Sequence, residues 1–120
     1  MVWKIVLVVA AFVLLKMLFN RTTQMSVADA RAKLKEGALL IDVRTAGEFA
    51  SRHLPGAINL ALDDLDAKLL RRVKDKNQVL LLHCQSGMRS GVAMKKAKAL
   101  GYANVFNIGS YSRAEKIVEA

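Results

Sequence analysis

The sequence predicts an α/β domain with a central parallel sheet covered by helices on both faces, preceded by one transmembrane helix. Three observations predict it. Short strand-like runs alternate with segments of helical period, joined by short loops. The run Val79–Leu82 is apolar at every position, as in a strand buried on both faces. Val2–Phe19 is apolar apart from Lys4 and Lys16. The expected divisions are a transmembrane helix over 1–20, a tether over 21–25 and the α/β domain over 26–120.

The leading segment, at about 1.5 Å per residue, reaches roughly 27 Å, close to a hydrocarbon core of about 30 Å. Lys4 and Lys16 lie near its ends, where long side chains can reach the headgroups, and Trp3 suits the interface. A cleaved signal peptide is the alternative, because Lys4 and Ile5–Leu15 resemble its first two regions. Met17–Arg21, however, offers no small-x-small cleavage site. A retained single-pass anchor is therefore expected. Lys16, Arg21, Arg31, Lys33 and Lys35 lie toward one side of the segment, against Lys4 and the terminal amine on the other. This bias places the domain on the cytoplasmic side of the cell inner membrane.

After the tether, Ser26 and Asp29 have capping-box spacing and open a helix over about Val27–Glu36, which Gly37 closes. Ala38–Val43 is a strand. Thr45 and Glu48 form a second box for a short helix near Ala46–Ser51. Leu54-Pro55-Gly56 is a turn and Ala57–Leu60 a short strand. Leu62, Leu65, Leu69 and Val73 keep a helical period, giving a helix over about Asp63–Val73. The Val79–Leu82 strand is followed by a loop and by a helix over about Gly91–Leu100, with Ser90 as its cap. Asn104–Ile108 is the last strand and Tyr111–Glu119 the last helix.

Composition narrows the function. The chain has 120 residues and one cysteine, so it forms one domain of modest size without an internal disulfide. His53 and His83 are its only histidines, and no Cys/His cluster has zinc-ligand spacing. Neither metal nor cofactor is expected. The net charge is +9, from 19 basic and 10 acidic residues; without Lys4 and Lys16 it is 17 minus 10, or +7. The basic residues are scattered over Arg31–Lys35, Lys68–Lys76 and Lys95–Lys98 with little aromatic interleaving. No nucleic-acid partner is expected. Solvated helix faces account for these charges, with attraction to anionic headgroups as the next reading.

The stretch that carries chemistry is His83-Cys84-Gln85-Ser86-Gly87-Met88-Arg89-Ser90. It puts the one cysteine at the carboxyl end of a buried strand, where parallel sheets bind ligands. Cys84 also faces a helix amino terminus, whose free N–H groups and partial positive charge favour a thiolate. Arg89 adds a permanent cation. The alternative, a cysteine serving as a small buried apolar residue, needs none of these neighbours.

Three motifs carry a family resemblance. Ile41-Asp42-Val43-Arg44 followed by Glu48-Phe49, then His53–Asn59, then His83–Ser90 resemble, in order and spacing, the signatures of the rhodanese-like, single-domain sulfurtransferases. The resemblance covers about Ser26–Ile108, nearly all of the chain after the leading segment, and implies a rhodanese-like three-layer domain, usually with five strands, of which four are legible here. It implies transfer of sulfane sulfur from a small anionic donor, thiosulfate or a persulfide, through a Cys84 persulfide. The sulfur then goes to a thiophilic acceptor: cyanide, a thiol or a protein.

By the same resemblance, the loop residues Gln85, Ser86, Gly87, Met88 and Arg89 hold the substrate sulfur. Arg89 either binds the anionic donor or holds the loop shut through backbone carbonyls. Gly87 is expected at positive φ. Asp42, Arg44, Glu48 and Ser90 are read as structural support, with Arg44 paired to Glu48 and Asp42 bracing the loops. His53 and His83 are read as packing residues, since a low-pKa thiolate attacking sulfur needs no general base. Four residues separate Cys84 from Arg89. Related phosphatases have one more, so the shorter loop fits sulfur rather than phosphate. The chain departs from the family after its last strand, where Ile108–Arg113 lacks the usual Gly-Gly and tryptophan. A persulfide carrier or sensing module serving a protein partner at the membrane is the alternative function.

Overall fold

The structure, a computed structural model, describes residues 2–22 and 25–119; the side chains of 18–22 lie outside that description. Helix α1 (Val2–Thr22) leads into α2 (Val27–Lys35), β1 (Leu39–Asp42), α3 (Ala46–Ser51) and β2 (Ile58–Asn59). A single 3-10 turn over Leu62–Asp64 then precedes α4 (Leu65–Arg72), β3 (Leu80–His83), α5 (Met88–Ala99), β4 (Val105–Gly109) and α6 (Tyr111–Val118).

The described strands form one parallel sheet in the order β2-β1-β3-β4. β3 is central, and all four of its residues are buried. Alternation along it divides the core. Leu80, Leu82 and Cys84 join Leu65, Leu69, Ala93 and Ala97 under α4 and α5. Leu81 faces the other way and joins Ala30, Ile108, Tyr111, Ala114 and Ile117 under α2 and α6. A three-layer sandwich results, with four strands as the sequence showed.

Caps fix where the helices begin. Ser26 Oγ accepts the Asp29 N–H, and the reciprocal Thr45–Glu48 box is complete. Ser110 caps α6 by accepting the Arg113 N–H. Two helix starts differ from the sequence reading. The helix expected from Asp63 begins at Leu65, because residues 62–64 wind more tightly first. The helix expected from Gly91 begins at Met88, and its cap is Gly87 at φ +95°. Ser90 therefore does not cap that helix; it lies inside the first turn, free to serve another partner.

α1 differs most from expectation. The side chains of Val2–Met17 are all exposed. Lys4, Lys16, Asn20 and Arg21 all fall within the 21 residues of α1 and interrupt its apolar run. Among the described residues no helix is long and apolar enough to cross a membrane, so the expected span over 1–20 is not borne out. Residues 23 and 24 of the expected tether lie outside the described residues.

Candidate active site

β3 ends at His83 and delivers Cys84 to the carboxyl edge of the sheet, buried at 0% exposure. The chain then turns back over the cysteine and enters α5. Gly87 makes the turn possible, because φ +95° is strained for any residue with a Cβ. The turn also runs close to β4, where an added Cβ would lie 3.4 Å from the Gly109 backbone. The outcome is one hydrogen bond. The Gly87 N–H donates to Cys84 Sγ at 3.0 Å.

Second and third strands of support hold that turn. Tyr111 N donates to Gln85 O at 3.2 Å, and Ser86 bridges Ser110. β4 supplies Asn107, whose Nδ2 donates to Gly87 O at 3.0 Å while its Oδ1 accepts from Ser90 Oγ at 2.7 Å and Gly109 N at 2.9 Å. The pairing of β3 with β4 is irregular at Leu82/His83. That irregularity lies beside the loop, as sheet bulges near sites often do.

Burial favours the Cys84 thiol, but the Ser90 hydroxyl and the N–H groups of Ser90, Gly87 and Ser86 favour the thiolate. Together they draw its pKa below the ordinary value. The Ser90 hydroxyl lies 3.4 Å from Sγ and 2.7 Å from Asn107 Oδ1, and it has one proton to give. With the sulfur neutral the shorter bond holds that proton. With the sulfur ionised, O–H···S⁻ is the stronger use, and Asn107 Oδ1 keeps the Gly109 N–H. Ser90, expected as a helix cap, is thus a sulfur contact.

The charged residues pair differently from expectation. Arg44 does not meet Glu48. Its Nε lies 3.0 Å from both Asp42 oxygens and its Nη2 lies 2.8 Å from Oδ2, while Asp42 Oδ1 also accepts the Arg44 N–H at 2.9 Å. Both residues are buried, and the Arg44 pKa rises, chiefly through its hydrogen bonds to Asp42. Two residues apart at the end of a strand, they share one face and close on each other. Arg44 also donates to Arg52 O at 2.6 Å, so Asp42 braces the α3 turn through Arg44.

Glu48 is thereby left for Arg89. The pair is bidentate, Nη1–Oε1 at 2.7 Å and Nη2–Oε2 at 3.0 Å. Arg89 beside it holds the Glu48 carboxyl down at about 2. Arg89 therefore touches a carboxylate on α3, not the loop carbonyls. Met88 is 79% exposed at the rim, and Gln85 is exposed as well. His83 is fully buried, its pKa lowered by that burial, with Nδ1 at 3.2 Å from Cys84 O. His53 stacks on Phe49 at 4.0 Å.

Sequence reasoning missed Asn107, because nothing local marks a strand asparagine as the brace of a loop twenty residues away. Replacing it should loosen the loop without touching the sulfur. Asn107→Ala leaves the Gly87 carbonyl with the Gly91 N–H alone and takes the acceptor from Ser90 Oγ and Gly109 N, and is expected to cost about 1–3 kcal/mol of stability. Urea unfolding measures that loss, and a loss below about 0.5 kcal/mol would remove Asn107 from this role.

Comparisons with known proteins agree with this geometry. Residues 26–114 match the family described as Rhodanese-like domain. The chain is 35% identical over 69 residues to thiosulfate sulfurtransferase PspE of Escherichia coli, covering 58% of this chain and 66% of that one. It is 31% identical to the human thiosulfate:glutathione sulfurtransferase, covering 72% of this chain and 87% of that protein. A solved rhodanese with anions from E. coli superposes with a TM-score of 0.61 at 31% identity, over 64% of this chain and 91% of that one. Over four of the curated relatives it matches, the chain spans between 38% and 66% of their lengths. With the cysteine loop, the parallel sheet and the matched residues in agreement, the chain belongs to the rhodanese-like domain family.

Proposed function

We propose that this protein is a sulfurtransferase moving sulfane sulfur through a Cys84 persulfide. The observation that carries the reading is the Gly87 N–H aimed at Cys84 Sγ from a loop only four residues long before Arg89. Such a ring of N–H groups stabilises a sulfur anion and is too short to wrap a tetrahedral phosphate. In the first half-reaction the Cys84 thiolate attacks the outer sulfur of thiosulfate or of a small persulfide. The donor's S–S bond breaks, and its electron pair leaves with sulfite or with the donor thiolate. The new outer sulfur stays on Cys84, where Gln85, Ser86, Gly87, Met88 and Arg89 enclose it.

In the second half-reaction cyanide, a thiol or a protein acceptor attacks that outer sulfur and regenerates the Cys84 thiolate. Since Cys84 has no exposed surface, both steps require the loop to shift slightly outward. No general base is required, because the loop N–H groups and the Ser90 hydroxyl already favour the thiolate. His83, buried beside the Asp42–Arg44 pair, serves packing.

Attachment to the cell inner membrane through α1, with the domain in the cytoplasm, is part of the proposal. Its support is an exposed helix surface that is apolar from Val2 to Met17 apart from Lys4 and Lys16. So much exposed apolar surface is unfavourable in water. Basic residues after the segment favour the cytoplasmic side. An alkaline phosphatase fused to the carboxyl end of the full chain should be inactive, while high fusion activity would reverse the orientation.

Turnover of thiosulfate and cyanide by the full chain, abolished in Cys84→Ser, is the expected result of the activity test. Intact-mass measurement after donor treatment should add one sulfur atom to the wild type and none to the variant. Persulfide formation without turnover would instead assign the carrier function, serving a protein acceptor. Hydrolysis of an aryl phosphate would contradict both.

A further inference from the structure

Arg89 is the one cation of the loop, yet it does not stand free. Glu48 holds both of its terminal nitrogens at 2.7 and 3.0 Å, and both side chains remain about one-third exposed at the rim. Beside the pair lies a cavity of about 160 Å³ lined by Val43, Thr45, Ala61, Leu62, Asp63 and Arg89. It is small and largely apolar, and it brings a second carboxylate, Asp63. The rim next to Cys84 thus sets one guanidinium against two carboxylates.

The other cations at this edge are committed elsewhere. Arg44 is closed on Asp42, and Arg113 donates to the carbonyls of Ile108 and Met25 on the α6 side. A donor entering beside Arg89 therefore meets a guanidinium already paired with Glu48, with the Asp63 carboxylate lining the same cavity. Two charges on a thiosulfate dianion make that approach unfavourable. A small organic persulfide carries less net charge, and an amino group on it would suit Asp63.

We propose that Glu48, aided by Asp63, selects the sulfur donor: it keeps Arg89 neutralised, so that a small organic persulfide of low net charge is favoured over thiosulfate. The inference rests on the sulfur-transfer reading and names the donor class for the same site. The favoured step is Cys84–S⁻ plus R–S–SH giving Cys84–S–SH plus R–S⁻. The donor's S–S bond breaks and its electron pair leaves on the R–S sulfur, so no further oxidant or reductant is involved. Glu48 acts through Arg89 and is a specificity-positioning residue.

Glu48→Gln isolates the charge. A glutamine oxygen can still accept the Thr45 N–H that Glu48 Oε1 accepts at 3.1 Å, so the start of α3 is preserved. The experiment measures kcat and KM for the full chain in detergent, with cyanide as acceptor and either thiosulfate or cysteine hydropersulfide as donor. Wild type should favour the hydropersulfide in kcat/KM. Glu48→Gln should lower KM for thiosulfate by about tenfold, the effect of one nearby unit charge at a screened surface site, and leave the hydropersulfide within about twofold. The gain should vanish in Glu48→Gln/Arg89→Gln. Asp63→Asn, on an exposed residue outside the helix caps, should shift the thiosulfate KM the same way by a smaller factor and serves if Glu48→Gln folds poorly.

An equal loss for both donors in Glu48→Gln, with no shift in Asp63→Asn, would reduce Glu48 to a structural brace and overturn the proposal. So would a wild type that favours thiosulfate. If neither donor leaves sulfur on wild-type Cys84, the sulfur-transfer reading itself fails and donor selection falls with it.

Discussion

A single backbone N–H, that of Gly87, organises the active end of this protein. It reaches Cys84 Sγ at 3.0 Å only because the chain turns through φ +95° just before α5. A residue with a Cβ would strain that turn, which lies against Gly109. The sheet supplies the rest of the constraint. β3 fixes where the cysteine is, and β4 brings Asn107 across to hold the far side of the loop through the Gly87 carbonyl. The loop N–H groups and the Ser90 hydroxyl, not a neighbouring base, therefore draw the Cys84 pKa down against its burial. Preorganised N–H groups of this kind need no reorganisation when charge moves onto a second sulfur.

Electrostatics around the loop are arranged in two layers of opposite purpose. The inner pair, Asp42 and Arg44, is buried and closed upon itself. Removing either partner would leave an uncompensated buried charge, typically a cost of about 3–5 kcal/mol. Its value lies in tying the end of β1 to the α3 turn through Arg52 O. The outer pair, Glu48 and Arg89, joins that same α3 to the first turn of α5. It is about one-third exposed and worth little as an isolated salt bridge. Its importance is that it decides how much positive charge a donor sees.

The fold was legible where the signals are local. Four strands, the Ser26 and Thr45 caps and the positive φ of Gly87 all follow from neighbours a few residues apart. The nucleophile was legible because a lone cysteine at a strand end, followed by Ser-Gly and an arginine, has few structural explanations. Pairings across the sheet were not. Arg89 and Glu48 are 41 residues apart, and the nearer Arg44 looked like the natural partner until Asp42, two residues from it, closed that option. Ser90 read as a helix cap because its residue type favours caps; the strand asparagine that engages its hydroxyl is invisible to periodicity. For α1 the helix itself was legible from composition, while the expected crossing of a membrane is not borne out.

The central claim is that the loop holds the Cys84 sulfur toward its thiolate, below the ordinary thiol midpoint. The direct measurement is the thiolate absorbance of the folded full chain as a function of pH, with Cys84→Ser as the blank. Cys84 is the only cysteine, so the signal has one source. A lowered pKa means that the thiolate persists as pH falls and is lost only on passing the folded-state midpoint. The account predicts a midpoint clearly below the ordinary thiol value of about 8.5. A midpoint at or above that value would show that burial outweighs the loop N–H groups, and would contradict the account.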